Sequence, residues 1–117
     1  QVIKEFLEDN DLKRADVAYF EALVLGVSQQ KAALWLQISE LLDREPGQID
    51  PVEKSILLLG AFELSAHIEI PFKVVITESV DLAKIFGATD SYKYVNSILD
   101  RLAMTFRSIE VGALRVR

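Results

Sequence analysis

The chain has 117 residues, half of them hydrophobic, with 13 basic and 18 acidic side chains and a net charge of −5. This composition excludes a disordered tail, and the length favours a single domain, residues 1–117, with one hydrophobic core. The absence of cysteine excludes disulfides and zinc–thiolate sites. No apolar segment approaches the roughly 18–20 residues that span a bilayer, so no membrane association is expected.

The charge is unevenly distributed along the chain. Residues 1–50 contain 5 basic and 10 acidic side chains, whereas residues 51–117 contain 8 of each. Affinity for nucleic acid depends on cations that meet phosphates, so an acidic chain is a poor generic nucleic-acid binder. Any basic surface is therefore expected in the second half of the chain.

The first half of the chain has helical periodicity. Val2, Ile3, Phe6 and Leu7 predict a short helix or the end of a longer one. Asp16 is a plausible N-cap for a second, long helix that continues to about residue 42. Gly26 could kink this helix.

The second half contains three further helix signals. Asp50 and Pro51 predict the start of a strongly apolar central helix, in which Gly60 allows a close helix approach. Pro71 begins the next helix and Gly87, as a C′ residue, ends it. Asp90 or Thr89 caps a last long helix with Tyr94, Val95, Ile98, Leu99 and Leu102 on its inner side. The tail, residues 107–117, is expected to fray, which leaves an all-α fold of about five helices.

Catalytic and metal-binding chemistry has little support in the residues. His67, the one histidine, lies just past the central helix and is interpreted as structural, and Trp35 as packing. Glu78 and Asp81 share a helix face, but no accompanying histidine completes a metal site. No glycine-rich loop is present to hold a phosphate. We therefore expect no enzyme activity, no metal and no cofactor.

The junction between the last two predicted helices has the residue types of a nucleic-acid contact. Ser91, Tyr92, Lys93 and Tyr94 follow a helix stop directly. Backbone N–H groups at a helix N-terminus attract phosphate, and tyrosine rings can stack on unpaired bases. The alternative, in which Tyr94 packs inward and the polar residues only cap the helix, is also open.

This same region resembles the NusB family. The stretch from Pro71 to Gly87 is PFKVVITESVDLAKIFG, and the stretch from Asp90 to Asp100 is DSYKYVNSILD. They are similar to the family pattern P-x-K-V-x-I-N-E-A-x-E-L-A-K-x-F-G followed by D-S-x-K-F-V-N-G-V-L-D. Shorter matches extend the resemblance over about residues 2–105.

The resemblance implies an all-α NusB fold of two packed helical subdomains, with residues 1–46 as the remnant of the N-terminal one, 47–106 as the C-terminal one and 107–117 as the tail. It implies a cytoplasmic bacterial transcription antitermination factor. Together with NusE, a small-subunit ribosomal protein, such a factor binds the boxA element of nascent RNA. The pair joins the RNA polymerase elongation complex in the transcription of rRNA operons.

The resemblance also assigns site residues. It implies RNA contact at Asp90, Lys93 and Tyr94, with Lys73 and Lys84 less firmly placed. It implies NusE contact around Glu53 and the neighbouring face of the central helix, where an acidic surface suits a basic partner.

Departures from the family pattern qualify this assignment. Tyr92 and Tyr94 replace a frequent histidine and phenylalanine. The arginine-rich start and the first helix of the family are absent, so the chain resembles a truncated member. We therefore predict an exposed groove that another chain could fill, with possible homo-oligomerisation. The residues expected to line it are Val2, Phe6, Val17, Phe20 and Val24.

Two other functions fit the same residues. The chain resembles the RNA-binding module of an rRNA cytosine methyltransferase, but it has neither a cofactor-binding domain nor the cysteine nucleophile. A protein-only assembly module that has lost RNA binding is the other alternative. Binding of boxA RNA in preference to scrambled RNA would separate it from the antitermination factor.

Overall fold

The fold is described from a computed structural model, which describes residues 14–43 and 45–116. Helices and a short 3-10 turn follow one another, and no strand occurs within these two ranges, which confirms the all-α prediction. The elements are α1 (Arg14–Ser39), the 3-10 turn (Pro46–Gln48), α2 (Pro51–Ala66), α3 (Phe72–Phe86), α4 (Ser91–Phe106) and α5 (Ser108–Val116). None of the helices described is long and apolar enough to cross a membrane.

Helix α2 begins where the sequence predicts. The Asp50 carboxylate accepts hydrogen bonds from the backbone N–H groups of Val52 (2.8 Å) and Glu53 (3.4 Å). Pro51 occupies the first helical position, where its missing N–H would have had no partner within the helix. The start of α1 differs from the prediction, because Asp16 lies within the helix and not at its N-cap.

Helix α2 lies at the centre of the core and packs against α1, α3 and α4. Its side chains Ile56, Leu57 and Leu64 have no exposed surface. Gly60 confirms the predicted close approach, because a Cβ there would lie 2.8 Å from Leu99 Cδ1 on α4. Helix α1 continues through Gly26, and the kink there stays a prediction. A Cβ at that position would collide with the Phe62 ring.

Gly87 ends α3 as predicted, but for a different reason. A C′ glycine usually adopts a positive φ, whereas Gly87 is extended, with φ −86° and ψ 170°. A Cβ there would lie 2.7 Å from the Ala83 carbonyl oxygen and 2.6 Å from Ser91 Oγ. Lack of space, and not backbone conformation, therefore calls for glycine.

The prediction of a frayed tail is wrong for the residues described, because α5 packs back onto the domain. Arg107, just before α5, has a side chain that is only 3% exposed. Its guanidinium donates to the carbonyl oxygens of Leu64 (2.7 Å), Ile70 (2.9 Å), His67 (2.9 Å) and Glu63 (3.2 Å). These contacts join the tail to the end of α2, a long-range relation that the weak periodicity of the tail does not show.

Glu110 completes this attachment from the first turn of α5. One carboxylate oxygen accepts from Arg107 Nη1 (2.7 Å), and the other accepts from the backbone N–H of Phe72 (2.9 Å) at the start of α3. All five N–H groups of the Arg107 guanidinium can thus be accounted for by five acceptors. We call residues 67–71 with Arg107 and Glu110 the clamped corner.

The predicted groove lies largely outside the part of the chain that the structure describes. The side chains of Val2, Phe6, Val17 and Phe20 all fall outside it. Val24 is described and is 44% exposed. The groove therefore stays a prediction.

Candidate nucleic-acid interface

The connection between α3 and α4, residues 87–90, is exposed to solvent at residues 88–90. Asp90 precedes α4 in the left-handed region, with φ 67° and ψ 2°, which aspartate tolerates better than most residues. Asp90 is the N-cap residue of α4, as predicted, but its side chain makes no capping hydrogen bond to the helix. Its Oδ1 lies 3.5 Å from Lys93 Nζ instead, and both side chains are about two-thirds exposed, at 65% and 66%.

Two predicted lysines from different helices meet at one aromatic ring. Lys84 Nζ, from the last turn of α3, lies 5.1 Å from the centre of the Tyr92 ring. Lys93 Nζ, from the first turn of α4, lies 6.0 Å from the same centre. An ammonium group within about 6 Å of a ring is attracted by its electron-rich face. We call Lys84, Tyr92 and Lys93 the Tyr92 cluster.

Tyr94 points in another direction. Its hydroxyl oxygen is buried, and the side chain packs against the core. This agrees with the helical periodicity, which puts Tyr94 on the inner side of α4. The hydroxyl of the ring that the resemblance assigned to RNA is thus buried, although the Tyr94 side chain as a whole is half-buried. The neighbouring Tyr92, also half-buried, lies near two exposed lysines. Sequence reasoning placed Tyr92 at the junction but did not select it.

Lys73 lies apart from the cluster. It is exposed at the start of α3, eleven positions before Lys84. Eleven residues are about three helical turns, so the two lysines share a side of α3 roughly 16 Å apart along its axis. Lys73 could contact a ligand only if that ligand extends along the helix.

The predicted contact at Glu53 needs correction. Its side chain is 3% exposed, because it belongs to the inward face of the first turn of α2. The carboxylate is therefore not on an open surface. The neighbouring face remains accessible at Val52 and Ser55, which are exposed, and the partner contact stays a prediction for that face.

A further set of contacts joins Tyr19 of α1 and Glu63 of α2 to His67 in the clamped corner. The Tyr19 hydroxyl donates to Glu63 Oε2 (3.0 Å), and burial raises the pKa of both groups. The His67 ring lies edge-on to Tyr19 and Phe62. Its Nδ1 is 2.9 Å from Glu69 Oε2, a contact that lowers the pKa of Glu69. These contacts agree with the interpretation of His67 as a residue that stabilises the fold.

Metal-binding side chains do not converge anywhere in residues 14–43 and 45–116: no group of three histidine, cysteine, aspartate or glutamate residues could hold an ion there. Glu78 and Asp81 on α3 therefore do not belong to such a group of metal ligands among the residues described. The chemistry of the Tyr92 cluster suits an anion with an aromatic part.

Comparison with known proteins gives a consistent result. A model of the NusB family matches residues 1–104. The transcription antitermination protein NusB of Thiobacillus denitrificans is 48% identical over 110 residues, which are 94% of this chain and 76% of that protein. The NusB protein of Halorhodospira halophila is 53% identical over 104 residues, 87% of this chain and 67% of that protein. The structure of T. maritima NusB superposes with a TM-score of 0.73 at 27% identity, covering 86% of this chain and 73% of that one.

Proposed function

Because the chain belongs to the NusB family, we propose that it acts as a transcription antitermination factor and not as an enzyme. The relatives named above share this description over most of the chain. We propose further that it binds boxA RNA together with NusE and joins the RNA polymerase elongation complex on rRNA operons. Its place of action would then be the bacterial cytoplasm.

The observation that supports RNA binding most directly is the Tyr92 cluster. The chain is acidic overall, yet two lysines from separate helices converge on one ring beside an open connection. Ammonium groups can neutralise phosphates while a ring meets an unpaired base. This combination is typical of a contact with single-stranded RNA.

The charge distribution supports a second, basic macromolecule in the complex. Ten of the 18 acidic side chains lie in residues 1–50. A basic ribosomal protein such as NusE would be steered towards this acidic part by complementary fields. The contact surface we propose for NusE is the accessible face of α2 next to Glu53, at the start of the helix that directly follows this acidic part.

The test measures the affinity of the chain for boxA RNA, with and without NusE, over a range of salt concentrations. We expect boxA RNA to bind more tightly than scrambled RNA, and NusE to strengthen binding. Replacing Lys84 and Lys93 together by glutamine should weaken binding and reduce the salt slope by about 0.7 for each lost phosphate contact.

Lys31→Gln combined with Arg101→Gln provides the matched control, because this pair also removes two positive charges, at exposed positions on α1 and α4. It should leave both affinity and salt slope almost unchanged. Equal affinity for boxA and scrambled RNA, with NusE binding intact, would contradict the RNA part of the proposal and favour a protein-only module.

A further inference from the structure

We propose that a groove between the second half of α1 and the first turn of α2 binds a short segment of a partner protein, in which large apolar side chains lie among carboxylates. Lys31, Trp35 and Leu36 line the groove from α1, and Lys54 lines it from α2. We call it the Trp35 groove. This inference goes beyond the proposed function, because it concerns neither RNA nor NusE.

The size and shape of the Trp35 groove suit a peptide. Its volume is about 610 Å³, and ligand pockets typically have about 300–1,000 Å³. Its lining extends from Ser28 to Ser39 of α1, which is a distance of roughly 16 Å along the helix axis. An extended segment of about five residues has this length, whereas a compact small molecule would occupy only part of it.

The groove offers apolar surface to such a segment. Trp35 is half-buried and packs against the core. This packing restricts the ring before a ligand arrives, so little conformational entropy is lost on binding. Leu36, its neighbour in the lining, is 65% exposed. Exposed apolar side chains beside an aromatic ring are typical of protein contact sites, and an apolar side chain of the partner would be buried against both.

The charges of the groove select an acidic segment. Lys54 Nζ lies 4.5 Å from the centre of the Trp35 ring, and Lys31 is exposed one turn before Trp35. Within the part of the chain that the structure describes, neither lysine forms an ion pair, and no acidic side chain lines the groove. The nearby Asp50 carboxylate caps α2. Both ammonium groups are therefore available to carboxylates of a partner, although the chain has a net charge of −5.

Other occupants fit the groove less well. A basic protein such as NusE would be repelled by the two lysines. Lys54 also lies about 100° round α2 from Ser55, which belongs to the face proposed for NusE. An RNA base would have to cover the Trp35 ring, where an ammonium group already lies, and it would meet the aliphatic Leu36. An acidic apolar peptide uses both the apolar surface and the charges.

The experiment uses the fluorescence of Trp35, which is the only tryptophan of the chain and therefore reports on the groove directly. The probe is a short tryptophan-free peptide in which phenylalanine and leucine alternate with glutamate. At low salt it should shift the emission saturably, with a Kd below about 1 mM. A peptide with lysine in place of glutamate should bind at least roughly tenfold more weakly, because its charges match those of the groove.

Variants of the full chain separate the two kinds of contact. Lys31→Gln and Lys54→Gln should each weaken binding of the acidic peptide roughly two- to fivefold, and added salt should reduce the difference. Leu36→Ser should weaken binding roughly tenfold at every salt concentration. Lys73→Gln is the matched control, because this exposed lysine lies beyond the opposite end of α2, and it should leave the affinity unchanged.

Several outcomes would overturn the proposal. One is the absence of a saturable shift up to about 1 mM peptide, and another is equal affinity for the lysine and glutamate peptides. A shift on dilution of the chain alone would show that a second copy covers the groove. Tighter binding of a single-stranded oligonucleotide at Trp35 would show a nucleic-acid site. None of these results bears on the proposed function, because the affinities for boxA RNA and NusE are measured separately.

Discussion

Two short connections of similar length, the clamped corner at residues 67–71 and the open junction at residues 87–90, are held in different ways. In the corner, a buried arginine from the distant end of the chain donates to carbonyl groups in the last turn of α2. In the junction, residues 88–90 are exposed, and the ion pair between Asp90 and Lys93 is exposed to solvent. In the corner, the polar groups form hydrogen bonds with one another, whereas the charged side chains of the junction are accessible to a ligand.

The two connections differ in whether distant or neighbouring residues stabilise them. Buried backbone carbonyls need hydrogen bonds, and a guanidinium can supply several at once in a fixed geometry. The junction instead depends on local geometry, a glycine with no room for a Cβ and an aspartate with positive φ. We expect changes in the corner to cost stability and changes in the junction to affect binding first.

The largest expected effect is that of Arg107→Met. This change removes the guanidinium that donates to four backbone carbonyls and to Glu110. Removal of one partner from a buried charged network typically costs about 3–5 kcal/mol. Arg101→Met is the control, because Arg101 is exposed and makes one bond, to the Leu41 carbonyl (3.1 Å). Urea unfolding should show a loss below about 1 kcal/mol for the control, and equal losses would disprove the clamp.

Gly87→Ala should have the next largest effect. The new Cβ would meet the Ala83 carbonyl oxygen, which belongs to the backbone and cannot move independently, so a loss of about 1–3 kcal/mol is expected. Gly112→Ala is the matched control in α5, where nothing lies within 4 Å of the added Cβ. It should raise the free energy of unfolding by up to about 1 kcal/mol. Two changes of the same sign would contradict the argument from space.

Glu110→Gln tests the corner through pH. The hydrogen bond from the Phe72 N–H, aided by Arg107, lowers the pKa of Glu110 below its usual value of 4.5. The unfolded chain then binds the proton more readily, so this stabilisation is complete above the unfolded pKa and is lost as pH falls through the folded one. We expect the variant to be about 1 kcal/mol less stable at neutral pH.

That difference should shrink as urea unfolding is repeated at pH values progressively below 4.5, where Glu110 is protonated first in the unfolded chain and then, at lower pH, in the folded chain. A difference that stays constant with pH would mean that the Glu110 charge does not contribute to the corner.

The smallest effect on stability is expected at Asp90, where two variants separate the effect of the backbone conformation from that of the ion pair. Both Asp90→Gly and Asp90→Ala remove the ion pair with Lys93, but only alanine keeps a Cβ at φ 67°. The glycine variant should be about 1 kcal/mol more stable than the alanine variant, the reverse of their order inside a helix. Thermal unfolding of the two proteins gives this comparison, and a more stable alanine variant would argue against a left-handed Asp90.

Much of the fold could be predicted from the sequence, because helix boundaries depend on neighbours along the chain. Asp50 with Pro51 marks the start of α2, and Gly87 marks the end of α3, through contacts within a few residues. The confirmed role of Gly60 followed in the same way from its place in an apolar helix. The candidate site was predicted as a segment, and both Lys84 and Lys93 belong to the observed cluster.

What the sequence by itself determined is thus the number, order and approximate limits of the helices from α1 to α4, and the position of the junction between α3 and α4. The tertiary structure decided which side chains of these helices face outward, turning Tyr92 to the lysines and burying the hydroxyl of Tyr94. It also decided that Glu53 is buried and that Arg107 fixes the tail to α2. The physical reason is that capping and periodicity act within one or two turns, whereas burial and the partners of a guanidinium depend on residues about forty positions away.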